Sequence, residues 1–289
     1  LILIFFAQHS AAGELEESPL SAVKKLSAEV AWQDDFKGQE IIIAILDSGI
    51  DQGHPYFTGR IQGEFGFTEC DNIVSDQHGH GTHIAGIVAS VAPAAELLVV
   101  KVLDDQKKHT SPLCSGKYTN SILAGFDRVI RYAEENPEKR IILNASFGQY
   151  IPDASSIESH SISIKAKAAM EKGIVVVAAA MNNSSGSPRI PAACEGVIAV
   201  ANAEKNSDGN GNHLAASSNF GDWVTIAAPG INVLSTQLSY TRAGIDPSNC
   251  SPPPAHLPQR MCGSEDYRHE SGTSMSTAMI SASAALLMS

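Results

Sequence analysis

The chain has 289 residues, 43% of them apolar and 18% charged, with 20 Lys and Arg against 31 Asp and Glu for a formal charge of −11. That length suits one large α/β domain as well as two small ones, and a chain of this size buries roughly 75% of its unfolded surface, so no metal or disulfide is needed merely to have a core. The acidic balance, with no basic stripe, argues against a nucleic-acid partner, because phosphate backbones are repelled.

In chain order, LILIFFAQHSAAG (1–13) is an apolar run ending in small residues, with Ser10 and Ala12 suited to the −3 and −1 positions of a signal-peptidase site. The run is too short to span a bilayer. Residues 1–12 therefore read as a secretory-signal remnant, with a lone strand as the alternative, and 13–289 as one domain. EIIIAILD (40–47), ELLVVKVL (96–103), RIILNASF (140–147), GIVVVAAA (173–180), GVIAVAN (196–202) and DWVTIAAP (222–229) read as strands. Most are continuously apolar, as strands covered on both faces are. THIAGIVASVA (82–92), SILAGFDRVIRYAEEN (121–136) and SISIKAKAAMEKG (161–173) carry helical spacing, the last with Gly173 as its stop signal. Alternating strand and helix predicts a three-layer, doubly wound, mostly parallel sheet. Ligands bind such sheets at the carboxyl ends of strands, where Asp47, Ser146 and Ala180 fall. Residues 237–270, with five prolines, read as a long irregular excursion.

Five cysteines (Cys70, Cys114, Cys194, Cys250 and Cys262) form no CxxC pair, so no zinc or thioredoxin-like motif is written in them. Their odd number leaves at least one free or paired with another chain. If the protein is secreted, Cys250 and Cys262 are expected to clamp the proline-rich loop between them, with two free thiols as the alternative.

Three islands carry chemistry. In ILDSGID, Asp47 ends a buried strand, where a carboxylate needs a partner; a turn or capping Asp is the plain alternative. In DQHGHGTHIAGIVA, His80 precedes a helix in a glycine-rich setting. No carboxylate or thiolate set accompanies His78, His80 and His83, which argues against a metal site. His78 reads as a turn histidine and His83 as a core one. In SGTSMSTAMISASAALLM, Ser274 opens a small-residue helix, among free backbone N–H groups that favour a developing oxyanion; simple capping by Thr273 or Ser274 is the alternative.

The order Asp, His, Ser and the blocks HGTHIAG and SGTSM resemble the subtilisin-like (S8) peptidases from about Ser18 onward. The resemblance implies a subtilisin-like fold and a serine endopeptidase acting on polypeptides, with Asp47, His80 and Ser274 as triad and Asn182 as oxyanion donor. KVL (101–103) with SGKY, including Ser115, Gly116 and Tyr118, resembles one edge of the substrate groove. NASFG, including Ser146, Phe147 and Gly148, resembles the other edge and the P1 wall. VVVAAAMN supplies Ala179, Ala180 and Met181, and Thr273 precedes the nucleophile. An apolar or aromatic P1 residue is implied, whereas Arg189 near the pocket base would favour an acidic one. Met181 stands where the family has Gly, and Gln149 where the P1 wall has a second Gly. The short 86–96 connection leaves no room for the family's strong calcium loop, so no cofactor is expected, although Asp51, Asp71 and Asp76 leave another site open. Relatives continue for further helices, so the domain reads as truncated at its C-terminus. A secreted monomer is expected. A catalytically inactive peptide-binding pseudoprotease is the rival reading, since it would keep the groove without turnover. An esterase is disfavoured because Ser274 is not in G-x-S-x-G.

Overall fold

The six apolar runs become six neighbouring strands in a computed structural model, which describes residues 2–3, 21–67, 74–103, 118–206, 211–240, 262–263 and 266–289. Most of the signal remnant, Cys70, Cys114, Ser115, Gly116 and the Cys250–Cys262 pairing lie outside the described residues. Cys194 is a buried free thiol, and burial pushes its pKa up to about 11.

In chain order the strands are β1 (Ile2–Leu3), β2 (Ile41–Asp47), β3 (Ile61–Gly66), β4 (Glu96–Lys101), β5 (Arg140–Ala145), β6 (Gln149–Tyr150), β7 (Val175–Ala179), β8 (Arg189–Ile190), β9 (Ile198–Lys205), β10 (Asn212–Leu214), β11 (Ile226–Pro229), β12 (Val233–Thr236), β13 (Leu238–Ser239), β14 (Cys262–Gly263) and β15 (Tyr267–Glu270). The helices are α1 (Ser21–Leu26), α2 (Glu29–Gln33), α3 (His80–Val91), α4 (Tyr118–Glu135), α5 (Ser161–Glu171) and α6 (Thr273–Met288). The main sheet runs β1-β11-β9-β7-β5-β2-β4-β3 with every neighbour parallel, and β10 adds antiparallel to β9.

The continuous apolar pattern of β2 follows from this layering. Ile41, Ile43 and Ile45 face α3 and α6, while Ile42, Ala44 and Leu46 face α4 and α5. Each isoleucine removed from water this way contributes about 2 kcal/mol. Helix α6 is buried around most of its circumference, which its run of Ser, Ala and Thr permits. From β2 the chain passes to the edge strand β3, returns to β4 between the two, then crosses to β5 on the other side of β2. The order reverses between β2 and β5, and Asp47 and Ser146 stand at their carboxyl ends, as the switch-point rule requires.

Three details depart from the sequence expectation. Helix α3 begins at His80, two residues early. Residues 237–270 are not irregular throughout, since β15 closes an antiparallel pair with β12 and β13 pairs with β14. Strand β3 and helices α1 and α2 are too short or too half-buried to carry a periodic signal.

Candidate active site

Asp47 is the last residue of β2 and only 1% exposed. Its two oxygens lie 2.8 and 2.9 Å from Nδ1 of His80, and Oδ1 also accepts the Ser48 backbone N–H at 2.8 Å. His80 is the first residue of α3, entered through Gly79 at φ 102°. The close approach depends on Gly81. A Cβ there would sit 2.1 Å from the Gly49 carbonyl oxygen and 3.2 Å from Cβ of Asp47. Any side chain would push the helix off the β2 loop and stretch the Asp–His bond.

A second carboxylate, fully buried Asp76, fastens the same corner. Its Oδ1 accepts from the Ser48 hydroxyl at 2.9 Å and from the N–H groups of His78 and Gly79 at 2.9 and 2.8 Å. Its Oδ2 accepts from the Thr82 N–H at 3.0 Å and the Thr82 hydroxyl at 2.6 Å. The Ser48 oxygen in turn accepts the Gly81 N–H at 2.9 Å. Asp76 thus ties the residue after Asp47 to the first turn of α3. Five protein donors converge on the Asp76 carboxylate, and Asp71, the middle member of the cation site left open at Asp51, Asp71 and Asp76, lies outside the described residues. Among the described residues no group of three or more His, Cys, Asp or Glu is placed to hold a metal ion. The sequence carried a signal for this role, namely an Asp four residues before His80 with Ser or Thr at both places it must reach.

Burial opposes the charged form of His80, but the charge and hydrogen bond of Asp47, with Asp76 and Glu270 behind them, outweigh it and raise the pKa above the ordinary value. His83, one turn on, is fully buried with Nε2 3.2 Å from the Arg268 carbonyl, and burial drives its pKa down to about 3. It is a neutral core histidine, as the sequence suggested.

Ser274 is the second residue of α6, whose N-cap Gly272 has φ 153°. The Ser274 N–H therefore belongs to the unpaired first turn of the helix. The Ser274 hydroxyl donates to the Ser146 carbonyl at 3.1 Å, and the Ser146 hydroxyl donates back to the Ser274 carbonyl at 3.2 Å. The amide of Asn144 donates to the Ser146 hydroxyl at 2.9 Å and accepts from Ser281, two turns along α6, at the same distance. The end of β5 is stapled to the nucleophile helix in this way.

Asn182 meets the same helix from β7. Its Oδ1 accepts the Thr273 N–H at 2.9 Å, and the Thr273 hydroxyl accepts the Met181 N–H at 3.2 Å. With Oδ1 occupied, the Nδ2 donor stands beside Gly272, 3.3 Å from where a Cβ would be. Met181 takes φ 76°, in the left-handed region, where Gly is at ease and a side chain costs about 1–2 kcal/mol. Asn219, which the sequence reading did not single out, holds that turn. It donates from its N–H to the Met181 carbonyl at 2.9 Å and from its amide to the Ala180 carbonyl at 2.7 Å. Its Oδ1 accepts the N–H groups of Asn183 and Ser185 at 2.9 and 3.1 Å.

Ala179 and Ala180 are fully buried and Phe147 is 8% exposed. A Cβ on Gly148 would lie 2.8 Å from Cγ of Met181. Tyr118 begins α4, and its side chain is not among those described. The structure thus brings together Asp47 with His80, and Ser274 with Ser146, Thr273, Met181 and Asn182.

A model described as the Subtilase family matches residues 38–289. Thermitase of Thermoactinomyces vulgaris is 31% identical over 240 residues, covering 80% of this chain and 77% of its own. The major intracellular serine protease of Bacillus subtilis (strain 168) is 32% identical over 241 residues, covering 77% and 68%. Among solved structures, the S41 psychrophilic protease superposes with a TM-score of 0.65 at 27% identity, covering 87% of this chain and 77% of that one.

Proposed function

The chain belongs to the subtilase family of serine-type peptidases, and on that premise we propose that it hydrolyses internal peptide bonds through an acyl-enzyme on Ser274. The observation that carries the reading is the buried Asp47–His80 pair, 2.8 Å apart, at the same end of the sheet as a serine in the open first turn of a helix. His80 Nε2 takes the Ser274 proton as the hydroxyl oxygen attacks the carbonyl carbon. Asp47 holds Nδ1–H and stabilises the imidazolium. The Ser274 N–H and Asn182 Nδ2 receive the oxyanion. The C–N bond breaks as His80 passes its proton to the leaving amine. Water then repeats the cycle on the ester. In the resting arrangement the Ser274 hydroxyl faces Ser146, so substrate entry must coincide with its turn toward His80.

Substrate would lie extended along 146–148, giving backbone recognition with little sequence demand, and the resemblance implies Ser115, Gly116 and Tyr118 as the opposite edge. The resemblance implies an apolar or aromatic P1 residue, and the cation at Arg189 sets a competing demand. We take the working form to be a monomer. Secretion remains part of the proposal through residues 1–12 alone, since one relative above is named as intracellular. Among the described residues no helix is long and apolar enough to cross a membrane.

A fluorophosphonate probe is expected to label Ser274 stoichiometrically. The Ser274→Ala protein is expected to fold, escape labelling and lose peptide turnover by on the order of a millionfold, the size of loss found when the nucleophile of subtilisin is removed. Unlabelled but folded wild type would point to a binding protein instead.

A further inference from the structure

Arg189 opens β8 opposite Tyr150 of β6 and is only 9% exposed. Its guanidinium lies over the Tyr150 ring, 4.6 Å from the centroid, and Nη2 donates to Asn183 Oδ1 at 3.3 Å. Nη1 is buried without any hydrogen-bond partner, and among the described residues no carboxylate pairs with this cation. The stacked ring and one long hydrogen bond only partly replace lost hydration, and a buried guanidinium normally has a carboxylate.

The position of Arg189 relative to Ser274 follows from its neighbours. A Cβ on Gly148 would touch Met181 Cγ at 2.8 Å, Met181 Sδ at 3.2 Å and Arg189 Cβ at 3.5 Å, so the three residues share one corner. Gly148 is two residues past Ser146, whose carbonyl takes the Ser274 hydroxyl. Met181 directly precedes Asn182, whose oxygen takes the Thr273 N–H. Arg189 itself spans both segments, touching Asn183 on one and Tyr150 on the other. A side chain entering between these segments from a bond poised at Ser274 belongs to the residue on the acyl side, P1. Met181 narrows that entry, and its unbranched thioether is the part able to give way.

We infer that Arg189 makes this site select a carboxylate side chain, glutamate or aspartate, at P1. The inference rests on the peptidase reading above. A P1 carboxylate would supply the missing counter-ion and a charge-assisted pair for the guanidinium.

The test uses fluorogenic peptides identical except for P1 Glu, Asp, Gln, Phe or Leu, with fluorophosphonate labelling to count active sites. In wild type, kcat/KM for Glu is expected to exceed that for its neutral isostere Gln by at least about tenfold. Arg189→Gln is expected to bring the Glu-to-Gln ratio near one, and Arg189→Lys to keep part of it. A ratio near one in wild type would overturn the inference, as would an Arg189→Gln protein that slows on every peptide while keeping the ratio. If that variant does not fold, the wild-type ratio decides. Absence of both cleavage and labelling would instead remove the peptidase reading on which the inference stands.

Discussion

The acid–base half of the site and its nucleophile half are built by opposite means. Around Asp47 and His80 the fastenings are ionic. Two buried carboxylates, one imidazole and five donors to Asp76 lock the end of β2 to the start of α3 before substrate arrives. Around Ser274 every partner is neutral: Ser146, Asn144, Thr273, Asn182 and, behind them, Asn219. There the backbone supplies the chemistry, through the open turn of α6 and the left-handed turn at Met181. On the proposed mechanism, charge in the first half tunes when the base works, and geometry in the second sets how well the oxyanion is received. The two halves should therefore respond differently to substitution. Damage to the neutral half should lower the rate without moving the pH profile, and damage to the ionic half should move both.

The largest effect separating them is expected at Asn182. Replacing it with Leu removes the Nδ2 donor and leaves the Asp47–His80 pair untouched. A loss on the order of 10²–10³ in kcat is expected, the magnitude measured for loss of the same kind of donor in subtilisin, with KM little changed. The acid limb of kcat/KM should stay in place. Asn183→Leu should be much milder, because Asn183 is held by its N–H to Asn219 and its side chain faces Arg189. A harmless Asn182→Leu beside a crippled Asn183→Leu would show the donor to be misassigned.

Asp76→Asn attacks the ionic half. One of its oxygens becomes a donor facing donors, and one negative charge behind His80 disappears. A fall of roughly 10–100-fold in kcat/KM is expected, by analogy with the loss found when the partners that orient metal-binding side chains are removed. His80 must be neutral to act as base, so its raised pKa places the acid limb above the ordinary histidine value of about 6.5. Removing the Asp76 charge should move that limb to lower pH. A lowered rate with an unmoved limb would reduce Asp76 to a structural cap.

The same contrast explains what was legible in the sequence. The central six strands and three long helices were plain, because each is apolar enough to state its own burial. Asp47, His80 and Ser274 stood out because glycine and small residues crowd around them, as close approach demands, whereas Asn182 came only through the family resemblance, its neighbour Met181 standing where that pattern has Gly. Asp76 was noticed only as a possible ion ligand, since a lone Asp does not say which donors will fold onto it. Asn219 was missed because its partners lie more than thirty residues away along the chain. Arg189 was flagged by position alone; its lack of a counter-ion needed the strand pairing of β6 with β8.

The smallest expected effect concerns stability, and it too separates the halves, because all the groups involved lie outside the nucleophile half. The folded-state pKa of His83 is about 3, against an unfolded value near 6.5. A depressed pKa means that its contribution is fully present above pH 6.5 and is lost as pH falls from there toward 3. One unit below 6.5, this amounts to roughly 1 kcal/mol. Glu64 has the opposite sign. Burial raises its pKa to about 7 from 4.5, so folding gains from its protonated form below 4.5 and loses that gain as pH rises to 7. Its contribution is the smaller one because the residue is only half-buried. The raised pKa of His80 acts in the same direction as Glu64. Between pH 4.5 and 6.5 the terms oppose one another, and a shallow Tm profile is expected for the Ser274→Ala protein, chosen to prevent self-digestion. In that background His83→Gln should hold or raise Tm as pH falls from 6.5 to 5, because only the opposing terms remain. Glu64→Gln should steepen the fall. Asn182→Leu, lacking any titrating partner, should leave the shape of the profile unchanged. Parallel profiles for His83→Gln and its parent would mean that the core histidine titrates normally and that burial at α3 is looser than the structure has it.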